Sequence, residues 1–170
     1  MKTVKRVMPY EKVMALPRPK HKQPMRPSRV LHTLIRALSL YDLFPTRFTY
    51  AEHGMDKVGK KEPVLILMNH SSFIDLEIAS HIFYPRRYGI VTTSDAFVGK
   101  GFLMRWLGCI PTQKFVSDIT LIRDMEYMLK TNKTSVLMYP EAGYSFDGRA
   151  TALPRKMGVL MKKLGVPVVT

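Results

Sequence analysis

The chain has 170 residues, 46% of them hydrophobic, a single cysteine and a formal net charge of +14. That length suits one domain with a real core. Cys109 alone excludes an internal disulfide framework, suits a reducing compartment and reads as a buried apolar residue. No continuous apolar stretch after the basic N-terminus predicts a signal peptide, and no run of 18 apolar residues predicts a spanning helix.

Charge divides the chain into an arm, residues 1–50, and a domain, residues 51–170. The arm holds eleven of the 27 basic residues and two of the 13 acids. Such an arm seeks a polyanion, either nucleic acid or an anionic membrane surface. Residues 16–29, LPRPKHKQPMRPSR, contain four prolines and are expected to be extended and flexible. Residues 29–44 change character. Ser28 is a suitable N-cap and Pro45 a stop. Leu31, Leu34, Ile35, Leu38 and Tyr41 recur at helical spacing, while Arg29, His32, Arg36 and Ser39 form a narrower polar face. Such a helix can cover the domain core, lie in a membrane interface, or do both.

The domain alternates short apolar strands with helices. Strands are expected at 64–68, 88–93 and 135–140, with a fourth starting in VPVVT at 166–170. Helices are expected at 76–84, 96–108, 119–130 (capped by Ser117) and 155–165. This is an α/β pattern: a mixed, largely parallel sheet flanked by helices and buried on both faces. A strand beginning at the last residues predicts either a chain that continues past Thr170 or a sheet completed in an unusual way.

Two of the strands run into polar clusters, LMNHSSFID and LMYPEAGYSFDG. Ligands in α/β sheets bind at the carboxyl ends of strands. His70 lies just past one such end, and Asp75 five positions on falls in the first turn of the next helix. Folded back, the carboxylate fixes the imidazole tautomer and makes the other nitrogen a base for a substrate hydroxyl. Ser71 and Ser72 lie too close in sequence to serve as nucleophiles. A metal site joining His70 and Asp75 to Glu141 or His81 is the weaker chemical alternative.

The sequence resembles the glycerolipid acyltransferases typified by bacterial 1-acyl-glycerol-3-phosphate acyltransferases. That family's N-H-x4-D block is matched by Asn69, His70 and Asp75. Its G-x-I-P-x-x-R block resembles GCIPTQK at 108–114, its F-P-E-G-T-R-S block resembles YPEAGYS at 139–145, and its V-P-V block resembles residues 166–169. One block alone is weak; four in family order, across residues 64–170, are specific. The resemblance implies that His70 is the general base and that Asp75 orients it. It implies no metal and no cofactor beyond the co-substrate, acyl-CoA or acyl-carrier protein. It also implies a lysophospholipid acceptor whose head is bound by Asn69, Lys114 and Glu141, at the cytoplasmic face of the membrane, peripherally.

Two departures stand out. The second-block arginine is Lys114, which keeps the charge and loses the bidentate fork. The third-block G-T-R is Ala142-Gly143-Tyr144, and Arg149 downstream is the candidate to restore the charge. Two other readings differ in class: a catalytically weak lipid-binding homologue, and a nucleic-acid-binding basic protein. The latter lacks aromatics interleaved with basic residues, so no nucleic-acid partner is expected.

Overall fold

The computed structural model describes residues 11, 21–113, 118–141, 143, 145, 153–154 and 156–170. Five strands form one sheet: β1 (Leu65–Leu67), β2 (Tyr88–Thr93), β3 (Cys109–Thr112), β4 (Ser135–Met138) and β5 (Val168–Val169). Their order is β3-β2-β4-β1-β5, and every pairing is parallel. The central pair is in register from Leu65 opposite Val136 to Leu67 opposite Met138. The helices are α1 (Arg29–Leu43), α2 (Ile74–Ile82), α3 (Gly101–Trp106), α4 (Ile119–Glu126) and α5 (Met157–Leu164).

The two faces of the sheet follow from the alternation of side chains along each strand. Leu65, Leu67 and Val136 turn to one side and pack with Met125, Met128, Met157 and Leu164. Val64, Ile66 and Leu137 turn to the other and pack with Ala79, Tyr88 and Cys109. Both faces being covered, the strands are apolar throughout, which is why they read as runs. Burial pushes the Cys109 thiol up to about 12, as suits a packing residue rather than a nucleophile.

Several local features depart from the sequence expectations. β3 is a strand the hydropathy did not mark, because Cys-Ile-Pro-Thr is short and contains Pro111; it sits at the sheet edge, where proline is tolerated. The helix expected over 96–108 is broken. A 3-10 turn spans Ser94–Phe97, Gly99 takes a left-handed φ of 71°, and α3 starts at Gly101. Asp118, not Ser117, caps α4, its carboxylate accepting the Thr120 N–H at 2.9 Å; Ser117 itself lies outside the described residues. α4 then widens into a π-type turn over Tyr127–Thr131.

The proline-rich segment is extended but not loose. Pro24 and Pro27 are buried. Arg105 donates to the carbonyls of Lys22 and Gln23, Arg87 donates to that of Pro27 at 3.1 Å, and the Ser28 N–H donates to the Trp106 carbonyl at 2.9 Å. His21 Nε2 meets Asp124 Oδ1 at 2.9 Å. Gly108, at φ 78°, lets the strap lie flat: a Cβ there would stand 2.4 Å from Pro27 Cγ. Prolines pre-extend this segment, and arginines of the domain take its carbonyls, so residues 21–28 form a docked strap. Residues 16–20 lie outside the described residues.

α1 packs along α2 with Ser28 as its N-cap, as expected. It docks by its polar face. His32 meets the Tyr88 ring edge-on at 4.9 Å, Arg36 lies 4.0 Å over the Tyr84 ring, and Ser39 is fully buried. Val30, Leu34, Leu38 and Tyr41 face outward, 76%, 52%, 59% and 82% exposed. Among the described residues no helix is long and apolar enough to cross a membrane.

Candidate active site

The sheet order makes β1 and β4 neighbours, so their carboxyl ends, bearing Asn69-His70 and Tyr139-Pro140-Glu141, share one edge of the fold. After β1 the chain makes a tight turn into α2, which returns Asp75 to the imidazole. Asp75 Oδ2 lies 2.8 Å from His70 Nδ1 and also accepts the backbone N–H groups of Ser71 at 2.7 Å and Ser72 at 3.0 Å. An ionised carboxylate only accepts, so Nδ1 carries the proton and Nε2 is the basic nitrogen. The Asp75 side chain is 11% exposed and that of His70 22%, so the pair is sheltered yet reachable.

Two residues of the third block hold the histidine from other directions. The Tyr139 ring stacks on the imidazole with centroids 4.0 Å apart and planes 17° from parallel. The Ser145 N–H donates to the His70 carbonyl at 2.5 Å. The pair is therefore fixed in plane by Asp75, above a face by Tyr139, and along the backbone by Ser145.

Asn69 and Glu141 line a cavity of about 520 Å³ at the same sheet edge. Its walls are largely apolar, from Met55, Met68, Phe83, Leu153 and Val169, with Glu52 and His53 among the polar groups. A few polar groups in an apolar concavity suit an amphipathic ligand. The structure thus brings His70 to Asp75, and Asn69 to Glu141. Lys114 and Arg149 lie outside the described residues. The second block contributes β3, Cys109–Thr112, which is two strands and so roughly 10 Å across the sheet from β4, the third block's strand. His81, weighed as a metal ligand, instead has its ring edge against Phe48 and Tyr50 at 6.2 and 6.1 Å.

Sequence reasoning missed three contributors: the stacked Tyr139, the tethering N–H of Ser145, and the N–H groups of Ser71 and Ser72. Tyr139 and Ser145 stand inside the third block, so that block was the available signal. Ser71 and Ser72, discounted as nucleophiles, act through their backbones.

A three-layered parallel α/β fold with a His-Asp pair at a strand end defines a class, and comparison narrows it. An acyltransferase family model matches residues 50–170, and the chain belongs to that family. The fold is also similar to the crystal structure of the 1-acyl-sn-glycerophosphate acyltransferase PlsC from Thermotoga maritima. The TM-score is 0.59 at 17% identity, over 81% of this chain and 54% of that one, so this chain spans about half of that protein. No curated protein matches the chain.

Proposed function

We propose that the protein transfers a fatty acyl group from a thioester, acyl-CoA or acyl-carrier protein, to the hydroxyl of a lysophospholipid such as 1-acyl-glycerol-3-phosphate. The observation that carries this reading is the 2.8 Å contact of His70 Nδ1 with Asp75 Oδ2. Nε2 takes the proton of the acceptor hydroxyl as its oxygen attacks the thioester carbonyl. The tetrahedral intermediate collapses, the C–S bond breaks, and the imidazolium returns its proton to the leaving thiolate. Asp75 stabilises the imidazolium and prevents the ring from turning. The stacked Tyr139 face favours the same cation. Asn69 and Glu141 bind the polar head of the acceptor, while Lys114 and Arg149 supply charge for its phosphate.

The acceptor and the product are membrane lipids, so the enzyme works as a peripheral protein at the cytoplasmic face. Its exposed α1 stripe of Val30, Leu34, Leu38 and Tyr41 supports interfacial seating, and the +14 charge supports an anionic surface. The test is an acyl-transfer assay on the purified protein with labelled acyl-CoA and acyl-carrier protein, a panel of lysophospholipids, and lipid mass spectrometry. Acylated product is expected with a phosphate-bearing acceptor. Lipid binding without turnover on any acceptor would make the protein a lipid-binding homologue instead.

A further inference from the structure

We infer that Arg26, Arg29 and Arg87 form a site for the phosphate of an anionic phospholipid headgroup, separate from the catalytic pair. Arg87 stands just before β2, at the amino end of the sheet, whereas His70 follows β1 at the carboxyl end. It is half-buried and held by its bond to the Pro27 carbonyl. Arg26 and Arg29 flank Pro27 and Ser28 and are exposed. Among the described residues, no carboxylate forms an ion pair with any of the three. The Arg87 bond to the Pro27 carbonyl brings its charge to the segment that carries Arg26 and Arg29, and like charges so placed repel one another. Burial, and then the Arg26 and Arg29 charges, lower the proton affinity of Arg87. An anion relieves that repulsion, and guanidinium forks match phosphate oxygens.

The surroundings choose between a lipid and a soluble phosphate. Val30, 76% exposed, opens the outward stripe of α1 beside Arg29. Trp106, 45% exposed, accepts the strap's Ser28 N–H at its carbonyl, and the Phe102 ring lies tilted against it at 4.9 Å. A free phosphate uses no such apolar collar, whereas a headgroup brings acyl chains to cover it. Duplex nucleic acid offers the phosphate but not the chains. The site also differs in role from the acceptor site. α1 starts at the arginines and is roughly 22 Å long, and the chain reaches the cavity beside Asn69 only beyond its far end, at Tyr50. A lipid held here is an anchor that sets the orientation of α1 on the bilayer, not the molecule being acylated.

The inference rests on the preceding reading only in making a membrane the place of work, and its test is read without turnover. Co-sedimentation would compare phosphatidylcholine vesicles with and without phosphatidylglycerol. The double variant Arg26→Gln/Arg29→Gln should weaken binding to the anionic vesicles by about tenfold and leave binding to the zwitterionic ones nearly unchanged. Arg26→Lys/Arg29→Lys should fall between, since lysine keeps the charge and loses the fork. Lys60→Gln/Lys61→Gln removes the same charge from another exposed stretch and should cost much less. Equal weakening by the two glutamine pairs would replace the site with diffuse attraction. Displacement from vesicles by millimolar glycerol 3-phosphate, or tighter binding to duplex DNA than to anionic vesicles, would overturn the choice of ligand. Failure of every acceptor to be acylated would sink the transfer reaction and leave this result standing.

Discussion

The His70–Asp75 pair and helix α1 place polar residues against the protein in opposite ways. At the pair, one oxygen of the Asp75 carboxylate takes three donors within 3.0 Å. At α1, polar side chains face inward with looser satisfaction. His32 and Arg36 rest on aromatic rings, and the Arg36 Nε is buried with no partner among the described residues. Meanwhile Val30, Leu34, Leu38 and Tyr41 turn outward, although Leu43 at the far end is buried. The first arrangement is fixed by short hydrogen bonds. The second sets a polar docking face against an outer face that leaves four large side chains exposed.

The sharpest break of this comparison is at the pair. His70→Ala should lower kcat/KM for acyl transfer by about 10²–10⁴-fold, the usual worth of a general base, with the thermal midpoint little changed. Asp75→Asn should cost less, because the base survives and only its tautomer and cation are less well supported. Within that series Tyr139→Leu should lose roughly two- to tenfold, and Tyr139→Phe should recover most of it. Thiol release from acyl-CoA measures all four. Full turnover by His70→Ala would remove the mechanism.

The next effect tests the strap. Gly108→Ala puts a Cβ into Pro27 at a left-handed φ, so either the strap lifts or the turn strains. A loss of about 2 kcal/mol is expected, read by denaturant unfolding. A neutral result would mean that residues 21–28 contribute nothing to folding.

The site was legible in the sequence to a greater degree than the helix, and for a physical reason. His70 and Asp75 are five residues apart, so one turn joins them and short-range spacing reveals the pair. The β1–β4 neighbourhood is non-local, but both ends carry polar clusters after apolar runs, and that pattern was enough. The Tyr139 stack was not legible, because ring orientation depends on the sheet register of Leu67 and Met138. The broken helix at Gly99 and the edge strand with Pro111 were hidden by a hydropathy pattern that carries no backbone angles. For α1, periodicity located the helix and its two faces. Which face docks was decided by Tyr84 and Tyr88, aromatic partners far away in sequence.

A milder change tests the outer face of α1. Leu34 and Leu38 are outward, so Leu34→Ser/Leu38→Ser should leave stability within about 0.5 kcal/mol while weakening vesicle binding by about tenfold or more. Vesicle co-sedimentation beside thermal unfolding separates the two. A large drop in stability with unchanged binding would mean that the stripe is covered by protein, not lipid.

The smallest expected effect concerns pH and the docking of α1. Burial, the main cause, holds the His32 imidazole below its ordinary value; a hydrogen bond with the Tyr88 backbone opposes this, and the Arg87 charge adds to it. The unfolded chain therefore binds the proton first. The stability contribution of neutral His32 is fully present above the unfolded value of roughly 6.5 and declines as pH falls below it, until the folded-state value is passed. Two carboxylates act in the opposite sense. Burial raises Asp124, against the His21 hydrogen bond, and burial with the nearby Asp42 raises Glu77, so both gain stability as they protonate at lower pH. The comparison must therefore isolate the histidine. Between pH 7.5 and 6, about the span in which an imidazole begins to charge, the wild type should lose more of its thermal midpoint than His32→Gln does. The difference should be a degree or two, since about 1 kcal/mol moves a domain of this size by roughly 2–4 °C. Identical slopes for the two proteins would show that α1 stays docked whether or not this ring is charged.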